Sequence, residues 1–400
     1  MNPIDFIYSL NKTKDIINNQ KVFVSKTNTG YNLMLIAAEF LNGCSTVFVV
    51  LSTLYLAQKY YDELSNMVDE ENVLFFPSDE LLVAEMISAS GDFLYERIQT
   101  IYSLLNNEKK IVIMNMHSAI RYLMNKETWI NSIINIKKNN SYNIDELVNK
   151  LVTLGYNRVS QVTKTKEYSK RGSILDIFPL GYNNPIRLDF FGDDLEEIKE
   201  FDTLTQKSIN KINEITVLPV SELIYNSKDY ESARNNIMSY LDNFELSQIE
   251  DDIYKRDLFN LSEHNSLETL VRYVEFFDNS KTSIFDFSNN KRIYFIDFNK
   301  AKELYNKILL DLDEYSTRIS GYSMANMPSF NNIDNILKIS NVNIYGLTGI
   351  DKNSIMINAK DVEPYNSNPK KIIKDLSVFK YRKTILSISN RERIKRLKEV

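Results

Sequence analysis

The sequence predicts an α/β protein: a parallel-sheet domain interrupted by a small α+β insert and followed by the start of a further α/β domain. Three observations carry this. Short apolar runs alternate with amphipathic helical stretches up to Met114, the layout of a parallel sheet. From Asn131 to Leu204 the pattern becomes one helix followed by short strands set apart by glycine, asparagine and aspartate turns. A buried-type strand then returns at Ile293-Tyr294-Phe295-Ile296 and ends in Asp297.

In chain order, the apolar pattern predicts strands over 21–25, 46–51, 73–76 and 111–114. Helices are expected over 31–41, stopped by Gly43, and over 54–68 and 93–105. In the insert, a helix over 144–154 opens at Asn143, with Glu146 three residues on, and Gly155 ends it. Strands are expected over 158–164, 173–178, 186–190 and 196–201. After Pro219 the chain reads as charged helix until Ile293, and the loop-like run from Gly321 to Pro328 precedes a last α/β segment from Ile333. The resulting division is 1–116 and 206–327 for the sheet domain, 117–205 for the insert, and 328–400 for a further domain.

At 400 residues, two or three such units fit the length. With 43% hydrophobic and 25% charged residues, the composition is that of an ordinary globular protein. No run approaches the ~18 apolar residues of a membrane span, and the N-terminus has no basic-then-apolar leader pattern, so a cytoplasmic chain without membrane partners is expected. The net charge of −5 argues against the chain as a whole clamping nucleic acid. Cys44 stands alone and reads as a buried, inert thiol, while His117 and His264 lack ligand partners at metal spacing, so no metal site is expected. The end at Val400, inside a charged amphipathic pattern without a capping glycine, reads as the front portion of something longer.

Residues 25–32, SKTNTGYN, sit between a strand and a helix in the frame of a phosphate-binding loop, G-x-x-x-x-G-K-S/T. Gly30 keeps the second glycine, but Ser25 replaces the first, Tyr31 the lysine and Asn32 the hydroxyl. The partner strand of such a site would end in a metal-binding Asp, often with a Glu after it; here Asp297 is followed by Phe298. The lysine, hydroxyl and carboxylate are all substituted, which leaves no means of hydrolysis, and no cofactor is expected. On these two segments alone, a degenerate nucleotide site and an unrelated strand–loop–helix joint stand about even.

The middle of the chain favours the first. KEYSKRGSILDIFPLGYNNPIRLDFFGDDLEEIKEFDTLTQKSI, residues 166–209, closely resembles a module shared by two bacterial repair families, the excinuclease component UvrB and the transcription-repair coupling factors. FFPSDELLVAEMISASGDFLYERIQTIYSLL, residues 75–105, resembles the coupling factors, and no insertion large enough for the DNA-clamping hairpin of UvrB lies between Pro77 and Arg97. Asp92, Gly91 and Lys166 are small departures from the pattern. The resemblance is strong over 21–222 and faint beyond Glu303.

The resemblance implies a RecA-like sheet domain with a degenerate nucleotide site, and an insert that recruits the excinuclease component UvrA. It places the ATP- and Mg-dependent motor, and contacts with RNA polymerase and duplex DNA, in C-terminal regions beyond this chain. An intramolecular contact with that C-terminal part would restrain the motor. The alternative from another class is an active, UvrB-like, ATP-dependent helicase or damage clamp.

Residues suited to the recruitment task can be named. Arg187, Asp189 and Phe191 lie two apart on one strand and so share a face. Phe178 offers a further apolar anchor, and Arg158 and Arg171 further guanidiniums. Phe178 and Phe191 read equally well as core, and Arg187 with Asp189 as an internal pair of little energy. Lys164, Lys166, Lys170 and Arg171 form a basic run that fits phosphate contact or a solvated face, and the acids of Asp193-Asp194 and Glu196-Glu197 read as solvent-facing.

Overall fold

The computed structural model describes residues 2–20, 22–79, 91–243, 245–262, 273–279, 281–320, 332–338, 342–346, 354–361 and 369–378. Its framework is a seven-stranded, wholly parallel sheet. The strands run, edge to edge, Ile355–Met356, Val22–Ser25, Val342–Gly346, Lys291–Ile296, Thr46–Leu51, Ile111–Asn115 and Val73–Phe76. The central strands TVFVVL and IVIMN are buried at every position, because helices cover both faces of the sheet. One face packs on helices Thr29–Asn42 and Leu54–Ser65, through residues such as Leu35, Ile36, Tyr60 and Leu64.

The other face does not end at the domain. Its core runs from Phe48, Val50 and Met114 through Ile98 and Trp129 into Leu147, Leu151, Leu175 and Leu188 of the insert. The insert is a six-stranded sheet ordered Ser208–Ile212, Asp194–Phe201, Ile186–Phe191, Ile174–Ile177, Glu167–Arg171 and Asn157–Arg158, antiparallel except at the last pair. Helix Ile144–Thr153, capped by the Asn143 side chain on the Glu146 N–H, buries Leu147 and Leu151, which join the same core. A two-stranded ribbon, Ile134–Lys137 with Glu214–Val217, closes the insert. Where the chain leaves it, Glu222 is buried between two arginines. Arg97 donates from Nε and Nη2 at 2.8 and 2.9 Å, and Arg121 from Nη2 at 3.2 Å. Burial works to raise the Glu222 pKa, but these two charges hold it below the usual carboxylate value.

The structure corrects several expectations. The boundary near Pro328 fails, because Val342–Gly346 inserts between Val22–Ser25 and Lys291–Ile296 and completes the first sheet. The insert runs past 205, since Ser208–Ile212 and Glu214–Val217 belong to its two sheets. The strand expected over 158–164 shrinks to Asn157–Arg158, and Glu167–Arg171 takes the pairing instead. Two N-terminal helices, Pro3–Ser9 and Asn11–Asn18, precede the first strand without having been expected. Cys44 is exposed, just beyond the C-cap Gly43. His264, the run from Gly321 to Pro328, residues 80–90 of the family segment and the C-terminal end lie outside the described residues. Among the described residues, no helix is long and apolar enough to cross a membrane.

Candidate functional site

The helix covers one face of the insert's sheet, and the opposite face is open and charged. Register sets its rows. Ser169, Asp176, Arg187, Lys199 and Lys211 stand side by side across five strands, and Ile174 pairs with both Arg171 and Asp189 in the next row. At the centre Asp176 is fully buried. Arg187 grips it with two parallel bonds, Nε to Oδ1 at 2.7 Å and Nη2 to Oδ2 at 2.9 Å, while Arg171 Nη2 reaches Oδ2 at 2.6 Å. Arg187 also lies over the Phe201 ring at 4.5 Å and donates to the Gln206 carbonyl at 3.4 Å. Its hydrogen bonds to Asp176 raise its pKa above the ordinary value.

A second cluster continues the lattice. Lys199 bonds Asp189 at 2.7 Å and also pairs with Glu197, which Lys211 meets from the edge strand. Hydrogen bonds from Lys199 and then Lys211 pull the Glu197 carboxyl down to about 2. Asp189 therefore pairs with Lys199 and not with Arg187, as an internal pair on one strand would require.

The structure sorts the remaining residues singled out in the sequence. Phe191 projects into solvent with 76% of its surface exposed, beside the positive-φ Gly192. Phe178 takes the core outcome, packing with Val162 and Phe201, so it is no exposed anchor. Arg158 is exposed at the sheet edge but pairs in register with the core-facing Tyr168, out of phase with Arg171. Lys170 pairs with Asp145 of the insert's helix, which breaks up the basic run. Asp176, Lys199 and Lys211 join this face without having been singled out in the sequence, and Glu197, read there as a solvent-facing acid, is paired with both lysines. No local pattern signals Asp176, Lys199 and Lys211, because strand register brings them into one row. Leu204 is 90% exposed in the turn before Lys207.

The loop over 25–32 has its own partner within the chain. Asn28 caps helix Thr29–Asn42, its Oδ1 accepting from the Tyr31 N–H at 2.9 Å. Residues 354–361 then run across the loop. Ile357 N–H donates to the Ser25 carbonyl and Ala359 N–H to the Lys26 carbonyl, at 3.0 and 2.9 Å. The Ser25 and Ser354 hydroxyls meet at 2.8 Å, and Asn28 Nδ2 donates to the Asp361 carboxylate at 3.0 Å.

The Tyr31 ring is buried, with its hydroxyl 3.0 Å from Thr13 Oγ1 on the second N-terminal helix, and burial raises its pKa. Asn32 is buried as well, and its Oδ1 has no hydrogen-bond partner among the described residues. Asp297 follows Lys291–Ile296 at a positive φ of 57°, one strand removed from the loop. Phe298 packs edge-on to Phe295 at 5.5 Å. Among the described residues, no cluster of three or more His, Cys, Asp or Glu is arranged to hold a metal.

Comparison with known proteins converges on the same region. Residues 134–223 match the family model of the UvrB interaction domain, from the first strand of the ribbon to just past Glu222. The transcription-repair-coupling factor of Bacillus subtilis is 29% identical over 68% of this chain and 24% of its own length. The protein of the same name from Staphylococcus aureus is 25% identical over 76% of this chain and 26% of its own, and that of Staphylococcus haemolyticus 23% identical over 81% and 29%. The chain thus spans about a quarter of the length of these relatives. The resemblance read from the sequence therefore stands: over most of its length this chain is similar to the transcription-repair-coupling factors, and its residues 134–223 match the UvrB interaction domain family.

Proposed function

We propose that this chain is the repair-recruitment module of a transcription-repair coupling protein, an adaptor that binds the excinuclease component UvrA and does not hydrolyse nucleotide. The observation that carries the reading is the open face of the insert. It lies in the segment matching the UvrB interaction domain, and it joins a half-exposed Arg171 to a projecting Phe191. A guanidinium that forks onto a carboxylate, beside a ring that fills a pocket, is the composition of an interface hot spot. Arg187 and Asp189 frame it, each held by a neighbour on an adjacent strand.

The loop supports the non-hydrolysing half of the proposal. A bound phosphate needs free backbone N–H groups and a cation, whereas here the cap is taken by Asn28 and an acid, Asp361, faces it. The buried Tyr31 and Asn32 add no positive charge. The chain is therefore read as having lost the site, with ATP and Mg handled by a motor elsewhere in the full protein. RNA polymerase and duplex DNA belong to those other regions in the same reading, as does a restraining contact on this face. A cytoplasmic location goes with the task.

Titration of the purified chain against ATP with Mg²⁺, and against UvrA, tests both halves. The expected result is binding to UvrA only, weakened about tenfold or more by Arg171→Ala and by Phe191→Ala. Micromolar ATP binding with turnover would overturn the adaptor reading in favour of an active clamp.

A further inference from the structure

We propose that Asp176 is a positioning residue for this interface: its buried carboxylate holds Arg171 ready to receive a carboxylate from the partner. This rests on the recruitment reading above.

The two arginines on Asp176 are not equivalent. Arg187 is only 17% exposed and is used up, with a bidentate grip on Asp176, a bond to the Gln206 carbonyl and the Phe201 ring beneath it. Arg171 is 50% exposed and spends a single N–H, from Nη2, on Asp176. Its other guanidinium donors have no partner among the described residues. A free Arg side chain loses rotamer entropy when it is fixed, and one bond at its tip removes much of that cost before a partner arrives.

Charge points the same way. Two arginines on one carboxylate leave the cluster with a net positive charge, whereas Asp189, Glu197, Lys199 and Lys211 sum to zero. The excess sits at Arg171, on the same face of the sheet as Phe191. The complementary surface is an acidic side chain next to an apolar socket. Removing the Asp176 charge would leave net charge at Arg171 higher, so simple attraction predicts tighter binding to an acidic partner. Positioning predicts weaker binding, and the two separate cleanly.

The test is a double-mutant cycle on binding to UvrA, with Asp176→Asn, Arg171→Ala and both together, each checked for its melting temperature. Asp176→Asn is expected to weaken binding about tenfold and to have no further effect once Arg171 is Ala. Arg171→Lys leaves the buried carboxylate in place and keeps the charge, but it loses the planar fork. It is expected to bind nearly as weakly as Arg171→Ala. Equal or tighter binding by Asp176→Asn, an undiminished loss in the Arg171→Ala background, or full binding by Arg171→Lys would each overturn the positioning role. A wild-type chain that does not bind UvrA overturns the recruitment reading itself, and the proposal with it.

Discussion

Phe178 and Phe191 sit thirteen positions apart in one module and meet opposite fates, and neither fate is set by residue type. Phe178 follows the last residue of Ile174–Ile177 and packs onto Val162 and Phe201, whereas Phe191 ends its strand at a glycine turn and is 76% exposed. Phe178→Ala should cost about 3–5 kcal/mol in chemical denaturation, as cavity-forming aromatic losses do. Phe191→Ala should stay within about 0.5 kcal/mol of the wild type. Glu197 gives a second residue-scale expectation. Lys199 and Lys211 hold its pKa at about 2, against an ordinary 4.5. Its contribution to stability is therefore complete above pH 4.5 and lost only as the pH falls through about 2. A carboxyl NMR titration should find Glu197 still ionised at about pH 3.5, and a midpoint near the ordinary 4.5 would refute the lysine clamp.

At the scale of elements, periodicity exposes the buried strands and leaves the polar ones hidden. Thr46–Leu51 and Ile111–Asn115 are apolar throughout because both faces are covered, so their sequences could signal little else. Glu167–Arg171 and Ser208–Ile212 escape detection because EYSKR and SINKI carry charge or lie at the sheet edge, where backbone pairing and not burial makes the strand. The open face was legible as far as the spacing of Arg187, Asp189 and Phe191. The sharing of Asp176 was not, since it depends on strand register that no local pattern records. The filled loop is equally hidden, because residues 354–361 lie far along the chain from Ser25. It yields a prediction: restoring the motif with Ser25→Gly, Tyr31→Lys and Asn32→Thr should not restore ATP binding by calorimetry, because residues 354–361 still bond to the start of the loop and the Asp361 carboxylate still faces Asn28. Recovery of binding with those three changes alone would show that the missing side chains, and not the crossing segment, exclude nucleotide.

For the whole molecule, the insert and the sheet domain share one core. Trp129, the single tryptophan, is buried in that shared core, and the Arg97–Glu222–Arg121 cluster ties the insert's exit to the body. Breaking a buried pair of this kind costs about 3–5 kcal/mol. The fluorescence of Trp129 and the far-ultraviolet circular dichroism should therefore report one coincident thermal transition. Separate transitions would mean that the insert folds as an independent unit. A rigid platform of this sort suits a module whose task is to present one face, since ordering costs fall when the surface is preformed.

In the adaptor reading this face, and not the loop, is where the chain does its work. Equilibrium binding of UvrA to the wild type and to the Arg171→Ala, Phe191→Ala double variant, both shown to be folded, puts that to the test. Saturable binding is expected for the wild type, with a loss of about a hundredfold or more in the double variant. Unchanged affinity in the double variant would contradict the assignment of the interface to the open face of the insert.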